Sequence, residues 1–251
     1  MPSYPILSLS SCTFNDLRET LTSHLHASRR TRPTEHSSVV PISLSRLLES
    51  PSNSITLTED PYYNLKDKDC PSVIGSCNGL ICLFGYSYNY IRESWLRFWN
   101  PATRTISDKL GHCHNPVLPY RLTFGYDNSM DTYKVVALEP EARVFSFRDN
   151  VWKTIQRFPL YHRLNWSVHL SGNVNWLATL RNYHRYDCKN IPFEQYVIIS
   201  LYLSKQTYKE LLLPQGFDQV PCFEPSLCVL MDCLCFSHVV KKTQLIYLNF
   251  C

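Results

Sequence analysis

VIGSCNGLICL, at residues 73–83, decides the fold, because it places a tight turn between two short apolar runs. Asn78 and Gly79 at its centre supply the positive φ angles that a two-residue β-turn needs. After a polar, tyrosine-rich segment comes LRFWNPATRTI at residues 96–106, and its first five residues alternate as in a strand. Pro101 interrupts this run because proline cannot donate a hydrogen bond to a sheet, and a β-prone run follows it. The two segments together predict one antiparallel unit of several strands.

The same pattern recurs downstream, as short apolar runs separated by turns rich in Ser, Gly, Asn and Asp. Two hairpins with Asp-Asn at their turns come first, and two further copies of the opening pattern follow. The runs in question are residues 121–138, 142–155, 168–178, 196–203, 208–213, 227–236 and 245–250. A unit of about 45–55 residues that cannot bury both of its faces alone is typical of propeller blades. The sequence therefore predicts an all-β propeller.

Composition fits this fold class. The chain has 251 residues, 44% of them hydrophobic and 13% aromatic, which is typical of a packed β protein and excludes a disordered one. The formal charge of +4 is mild, and Lys and Arg are scattered, so no nucleic-acid partner is predicted. No apolar run approaches the roughly 18 residues of a membrane span, so no membrane partner is predicted.

The eleven cysteines do not indicate a disulfide framework. Their number is odd, and several lie inside apolar runs, namely Cys82, Cys228, Cys233 and Cys235. We expect these to be buried thiols that act as small hydrophobic side chains. No secretory signal is recognisable at the N-terminus. The expected location is therefore the reducing cytoplasm, the nucleus or both.

Residues 1–38 are expected to form an N-terminal tail with a short helix. Leucines recur four residues apart at positions 17, 21 and 25, which predicts the helix over residues 16–26. A proline-broken polar linker follows, and then residues 39–48 predict a strand and a helical turn. The propeller-like domain is expected to cover residues 39–251.

Several ordered motifs resemble the F-box-associated domain of plant F-box proteins. The matching runs are GSCNGLIC at 75–82, WNPATR at 99–104, FGYD at 124–127, DTYKVV at 131–136, VFS at 144–146 with Trp152, and LSGNVNWL at 170–177. The resemblance implies a kelch-like β-propeller that receives a target protein. In that family an N-terminal F-box docks the Skp-type adaptor of an SCF (cullin–RING) E3 ubiquitin ligase.

The chain departs from the family pattern at both ends. No F-box is recognisable in residues 1–38, and family members continue with further blades where this chain reaches residue 250. The expectation is an incomplete propeller, truncated at its C-terminus. Three interpretations remain open: a substrate receptor that docks a ligase, a binding module or decoy that does not, and a non-functional fragment.

Candidate catalytic and metal-binding motifs are weak. Residues 75–79 match G-x-C-x-G, but a nucleophile elbow needs a helix after the turn, and residues 80–83 predict a strand. His112, Cys113 and His114, with Cys188 or His184, lack paired ligand spacing and are expected in a surface loop. We therefore predict a non-catalytic protein without metal or cofactor. The rival, an enzymatic or sugar-binding propeller, would need convergent acidic or histidine side chains on successive blades.

Aromatic residues divide into core and surface candidates. Trp99, Trp152 and Trp176 lie inside apolar patterns and are expected in the core. Others lie among Asn, Ser and Arg in segments 86–94 and 181–189, which are expected to be loops on a rigid scaffold. Tyr, Trp and Arg dominate protein–protein hot spots. The predicted partner-binding residues are Tyr86, Tyr88, Tyr90, Arg92, Trp95, Trp166, Arg181, Tyr183 and Tyr186.

Overall fold

The computed structural model describes residues 22–25, 38–43, 65–66, 70, 72–87, 93–114, 121–138, 141–155, 164–179, 191–213, 225–230, 232–240 and 244–250. The chain divides into two compact units, residues 1–118 and 119–251. In the described ranges every regular element is a β-strand except the 3₁₀ helix Phe193–Gln195. The all-β fold class predicted from the sequence is confirmed.

The first unit begins with a small antiparallel sheet. It consists of β1 (Thr22–Leu25), β2 (Ser38–Ser43) and β3 (Leu65–Lys66), in that order. The predicted helix over residues 16–26 is therefore wrong at positions 22–25, where the backbone pairs with β2 instead. Strand pairing with a distant partner overrode the local leucine spacing. Of the helical turn predicted at 43–48, Ser43 is the last residue of β2, and residues 44–48 lie outside the described residues.

The second sheet of this unit is the one predicted from VIGSCNGLICL. Its strands are β4 (Ser72–Cys77), β5 (Leu80–Ser87), β6 (Glu93–Asn100), β7 (Thr105–Ile106) and β8 (Leu110–His114). Strands β4 to β7 follow one another in the sheet, and β8 pairs with the other end of β6. The expected surface loop at 112–114 is therefore wrong, since these residues are paired in a strand.

Two turns in this sheet form for local reasons. Asn78 and Gly79 join β4 to β5 with φ angles of 47° and 74°, as the Asn-Gly pair predicts. At the end of β6, the Asn100 side-chain Oδ1 accepts hydrogen bonds from the backbone N–H groups of Ala102 and Thr103, at 3.0 and 3.2 Å. Asparagine commonly stabilises a turn in this way. The hairpin and the break at Asn-Pro are both confirmed.

The second unit contains two four-stranded antiparallel sheets. One has the order β12-β11-β10-β9 and the other β13-β14-β15-β16. The strand bounds are β9 Arg121–Asp127, β10 Thr132–Leu138, β11 Arg143–Ser146, β12 Val151–Thr154, β13 Leu164–Leu170, β14 Asn173–Thr179, β15 Tyr196–Tyr202 and β16 Thr207–Leu212. A third sheet contains β17 (Ser226–Leu230), β18 (Cys233–Val240) and β19 (Gln244–Phe250). The repeated strands predicted from the sequence are confirmed.

Two hydrophobic clusters join these three sheets face to face. Trp176 and Ile199 belong to a cluster shared with Val136 of the β9–β12 sheet. Leu177 and Ile198, one residue along each strand, belong to a second cluster shared with the β17–β19 sheet. Neighbouring residues on a strand point to opposite faces, so the β13–β16 sheet is buried on both sides. Each fully buried aliphatic side chain contributes about 1.5–3 kcal/mol.

Two expectations about single residues need correction. Trp152 was expected in the core but is half-buried, because it lies on β12, the outermost strand of its sheet. Cys233 was expected to be a thiol and is disulfide-bonded. By contrast, Trp99 and Trp176 are buried in the core, as predicted.

Candidate functional site: a turn platform on the second unit

Three of the predicted partner-binding residues lie in strands and not in loops. Tyr86 lies in β5 and is half-buried, with its ring centroid 6.0 Å from that of Phe84. Trp95 lies in β6 and is only 7% exposed, in the core cluster of its sheet with Trp99. Trp166 lies in β13. The placement of these three residues between strands is therefore wrong. β5 and β6 stay paired as far as Ser87 and Glu93, and β13 already begins at Leu164.

The remaining predicted residues, Tyr88, Tyr90, Arg92, Arg181, Tyr183 and Tyr186, lie outside the described residues. The two connections that contain these residues have equivalent places in the strand order of their sheets. One joins β5 to β6 and the other joins β14 to β15, which in each case are the second and third strands of their own sheet. Their role in partner binding stays a prediction.

A surface that the sequence did not predict is formed by two turns of the β9–β12 sheet. We call turns 128–131 and 147–150, together with Tyr126 and Tyr133, the turn platform. The first turn joins β9 to β10 and the second joins β11 to β12, so both lie at the same end of the sheet. Asp131 and Asn150 each adopt a positive φ, 49° and 53°, which closes the turns tightly.

Asp127 organises the first turn from beneath. Its Oδ1 accepts hydrogen bonds from the backbone N–H and the hydroxyl of Ser129, at 3.0 and 2.8 Å, and from the N–H of Met130 at 3.3 Å. Its Oδ2 lies 2.7 Å from the Lys134 ammonium, which also donates to the Leu203 carbonyl at 2.7 Å. The turn is thereby attached to the neighbouring sheet through a buried ion pair.

The environment of Asp127 favours its charged form. Burial raises the pKa of its carboxyl, but the hydrogen bonds from Lys134 and Ser129 and the positive charge of Lys134 outweigh burial. The pKa of Asp127 therefore lies below its ordinary value of 3.8. The carboxylate that holds the turn is ionised at neutral pH.

Hydrogen bonds also connect the two turns of the platform. The backbone N–H of Phe147 donates to the Tyr133 carbonyl at 3.0 Å, and that of Arg148 donates to the Thr132 hydroxyl at 3.2 Å. The Arg148 guanidinium donates to the Asp131 carbonyl at 3.3 Å. These bonds hold the two turns in one arrangement before any partner binds.

An aromatic cluster supports Phe147, one of the exposed side chains of the platform. The Tyr133 ring lies 5.0 Å from Tyr126 and 6.4 Å from Phe147, both in edge-to-face contact. The Tyr126 hydroxyl donates a hydrogen bond to the Asp131 carboxylate, and that bond raises the pKa of Tyr126. Met130 is 50% exposed and Phe147 is 37% exposed.

The platform suits protein binding for two physical reasons. Aromatic residues, Met and Arg are enriched at protein–protein interfaces, and all three occur here together. The side chains stand on turns that are already fixed, so binding costs little conformational entropy. Arg148 also keeps further guanidinium donors, which suit a carboxylate or backbone carbonyl of a partner.

The sequence predicted these two turns but not the binding surface that they form together. Asp127-Asn128 and Asp149-Asn150 were predicted as turns, and the structure confirms both. The missed signal was Met130, a large apolar side chain inside a polar turn. The position of its turn beside the second turn depends on pairing between β10 and β11, which the sequence alone does not specify.

The metal site and the nucleophile elbow considered from the sequence have little support in the described part of the chain. There, no three or more His, Cys, Asp or Glu side chains form a group that could hold a metal ion. Residues 80–87 after the G-x-C-x-G motif form a strand, so the helix of a nucleophile elbow is missing at that position. The described residues contain no helix long and apolar enough to cross a membrane.

Known proteins resemble this chain over most of its length. The family described as F-box associated beta propeller domain matches residues 35–213. F-box/kelch-repeat protein At3g23880 of Arabidopsis thaliana is 29% identical over 192 residues, which are 68% of this chain and 48% of that protein. F-box protein At1g11270 of the same plant is 25% identical over 198 residues, 69% of this chain and 57% of that protein.

The chain thus spans about half the length of the curated relatives it matches. Among solved structures, TolB from Acinetobacter baumannii is similar with a TM-score of 0.41 and 10% identity, covering 88% of this chain and 50% of that one. That likeness is too weak to argue from. Because the family match covers more than half of the sequence and its ordered motifs lie on the observed strands and turns, the chain belongs to the F-box associated beta propeller domain family.

Proposed function

We propose that this chain is a non-catalytic protein-interaction domain that captures a target protein. In this proposal it is the substrate-recognition part of an F-box subunit of an SCF E3 ubiquitin ligase, acting in the cytoplasm, the nucleus or both. Membership of the F-box associated family supports this role, and the names of its relatives describe F-box proteins. A Skp-type adaptor is the second partner that we propose.

The observation that carries the proposal is the turn platform. Exposed Met130 and Phe147 stand beside Arg148 on two turns that are connected by hydrogen bonds. Apolar side chains next to a guanidinium group form the centre of many protein–protein interfaces. The segments that carry Tyr88 and Arg92, and Arg181 and Tyr183, are proposed as a second contact region.

The test is co-purification from plant cells, with bound proteins identified by mass spectrometry. The wild-type chain is compared with the double variant Met130→Ser/Arg148→Ala and with Lys153→Ala as a matched control. Lys153 is exposed on β12, outside the platform. We expect the double variant to lose the target at least about tenfold, which corresponds to about 1.4 kcal/mol. The control should keep the target, and circular dichroism should show that both variants are folded.

The outcomes separate the two functional interpretations. A reproducible target together with a Skp-type adaptor supports a ligase receptor. A target without the adaptor supports a binding module or decoy, which the sequence left open as the alternative. If the folded wild-type chain retains no protein beyond chaperones, the interaction function is rejected. If the double variant binds the target as well as the wild type, the platform is not the binding site, and Tyr88→Ala/Arg92→Ala and Arg181→Ala/Tyr183→Ala test the second region.

A further inference from the structure

Two cysteines of the third sheet in the second unit face each other directly. Cys228 on β17 and Cys235 on β18 are partners in the strand register, and both are thiols. The flanking pairs are apolar, Leu227 with Phe236 and Val229 with Leu234. These four side chains belong to one buried cluster, so a one-residue slip would expose all of them. The core therefore fixes the two cysteines opposite each other.

The geometry of this pair suits a disulfide. Directly opposed residues on antiparallel strands have Cα atoms about 4.5–5.5 Å apart, and disulfides span Cα separations of about 4.4–6.8 Å. Opposed residues also present their side chains on the same face of the sheet. The Cys228 and Cys235 thiols are hydrogen-bonded to each other. The two strands therefore need to move little for the dithiol to become a disulfide.

The two thiols differ in access. Cys228 is half-buried, whereas Cys235 is fully buried. A small oxidant therefore reaches Cys228 first, and Cys235 is in place to react with the product. Cys233 stands two residues from Cys235 on the same face and is already disulfide-bonded, so it does not compete as a thiol.

We propose that Cys228 and Cys235 form a redox-modification site, a cross-strand dithiol that peroxide converts into a disulfide. In the first step the Cys228 sulfur attacks hydrogen peroxide, gives a sulfenic acid and releases one water. In the second step the Cys235 sulfur attacks the sulfenic sulfur, the S–S bond forms and a second water leaves. The dithiol loses two electrons and two protons, and the peroxide is reduced to two waters. Burial raises the pKa of Cys228, so the rate of the first step should rise with pH as the thiolate fraction grows.

The test uses the full wild-type chain, folded, before and after treatment with hydrogen peroxide. Remaining thiols are alkylated, and the chain is then cleaved after Phe223 and before Asp232 without reduction. Fragment 224–231 contains Cys228 as its only cysteine, so any bond to another fragment must involve that residue. We expect peroxide to join it to the fragment that begins at residue 232, with the bond mapped to Cys235. Dithiothreitol should release it.

Two variants and a denatured sample complete the design. Cys228→Ser should abolish the linked fragment and leave Cys235 as an alkylated thiol. Cys113→Ser is the matched control, because Cys113 is also half-buried on a strand but faces Ser94, and it should not change the yield. The proposal is overturned if Cys228 stays a thiol, ends as a sulfinic acid or bonds to a different cysteine. It is also overturned if the chain in urea gives the same yield of this bond as the folded chain.

Discussion

The Lys134 ammonium lies 2.7 Å from the Asp127 carboxylate, and both side chains are almost fully buried, at 6% and 2% exposure. The same ammonium donates a hydrogen bond to the Leu203 carbonyl, at the turn between β15 and β16. One side chain therefore connects the first turn of the platform with the adjacent sheet. Because the charges are paired and hydrogen-bonded, their burial is tolerated, but neither can be removed without leaving the other uncompensated.

We predict that Lys134→Met strongly destabilises the second unit. The substitution keeps most of the side-chain volume but leaves Asp127 as a buried charge without its cation. Breaking a buried pair in this way costs about 3–5 kcal/mol. Urea unfolding followed by tryptophan fluorescence measures the loss. Lys153→Met on exposed β12 is the control, and an equal effect of the two variants would contradict the structural role of the pair.

The pH dependence of stability should contain a contribution from Asp127. Its pKa in the folded chain is lowered from the ordinary 3.8, so folding favours the ionised form. The resulting stabilisation is present above the ordinary pKa and is lost as pH falls through the lower, folded value. Melting temperatures measured between pH 6 and about pH 3 should fall more steeply for the wild type than for Asp127→Asn. Parallel curves would show that this carboxylate contributes no proton linkage.

Gly125 is predicted to be intolerant of a side chain. An added Cβ would lie 2.5 Å from Cδ2 of His169, which packs over the strand from β13. Gly125→Ala should therefore destabilise the second unit by about 1–3 kcal/mol, the usual cost of overpacking. In the double variant Gly125→Ala/His169→Ala the clash is gone. The double variant should lose less free energy of unfolding than the two single variants lose together. Strict additivity of the two losses would refute the contact.

His169 should contribute its own acid sensitivity. Its Nε2 lies 3.1 Å from the backbone nitrogen of Tyr126 and 2.9 Å from the Tyr126 carbonyl oxygen. Burial lowers the pKa of the imidazole from 6.5, and this effect outweighs the Tyr126 backbone hydrogen bond, which raises the pKa. The unfolded chain therefore binds a proton at higher pH than the folded chain. Stability should decrease as pH falls from 6.5 through the lower folded value. Replacement by Gln should flatten the stability profile in this window, as measured by urea unfolding.

Local chemistry determined much of this fold. Asn78 and Gly79 form the predicted hairpin because their own conformational preferences match the tight turn. Trp176 is buried as predicted, since it lies inside a short, continuous apolar run of the kind that forms a buried strand. The ordered motifs around these residues were also sufficient to indicate the family.

Only the tertiary structure decided the features that depend on distant partners. Trp95 is buried because β5 and β6 stay paired beyond the apolar run, and residues 22–25 are extended because β2 pairs with them. Lys134 meets the Leu203 carbonyl across 69 residues of sequence. The turn platform likewise requires two hairpins in register. Periodicity and turn chemistry act over a few residues, so the sequence by itself determined the repeated hairpins, their turns and the family. Contacts between strands and sheets decided β1, β8 and the candidate site.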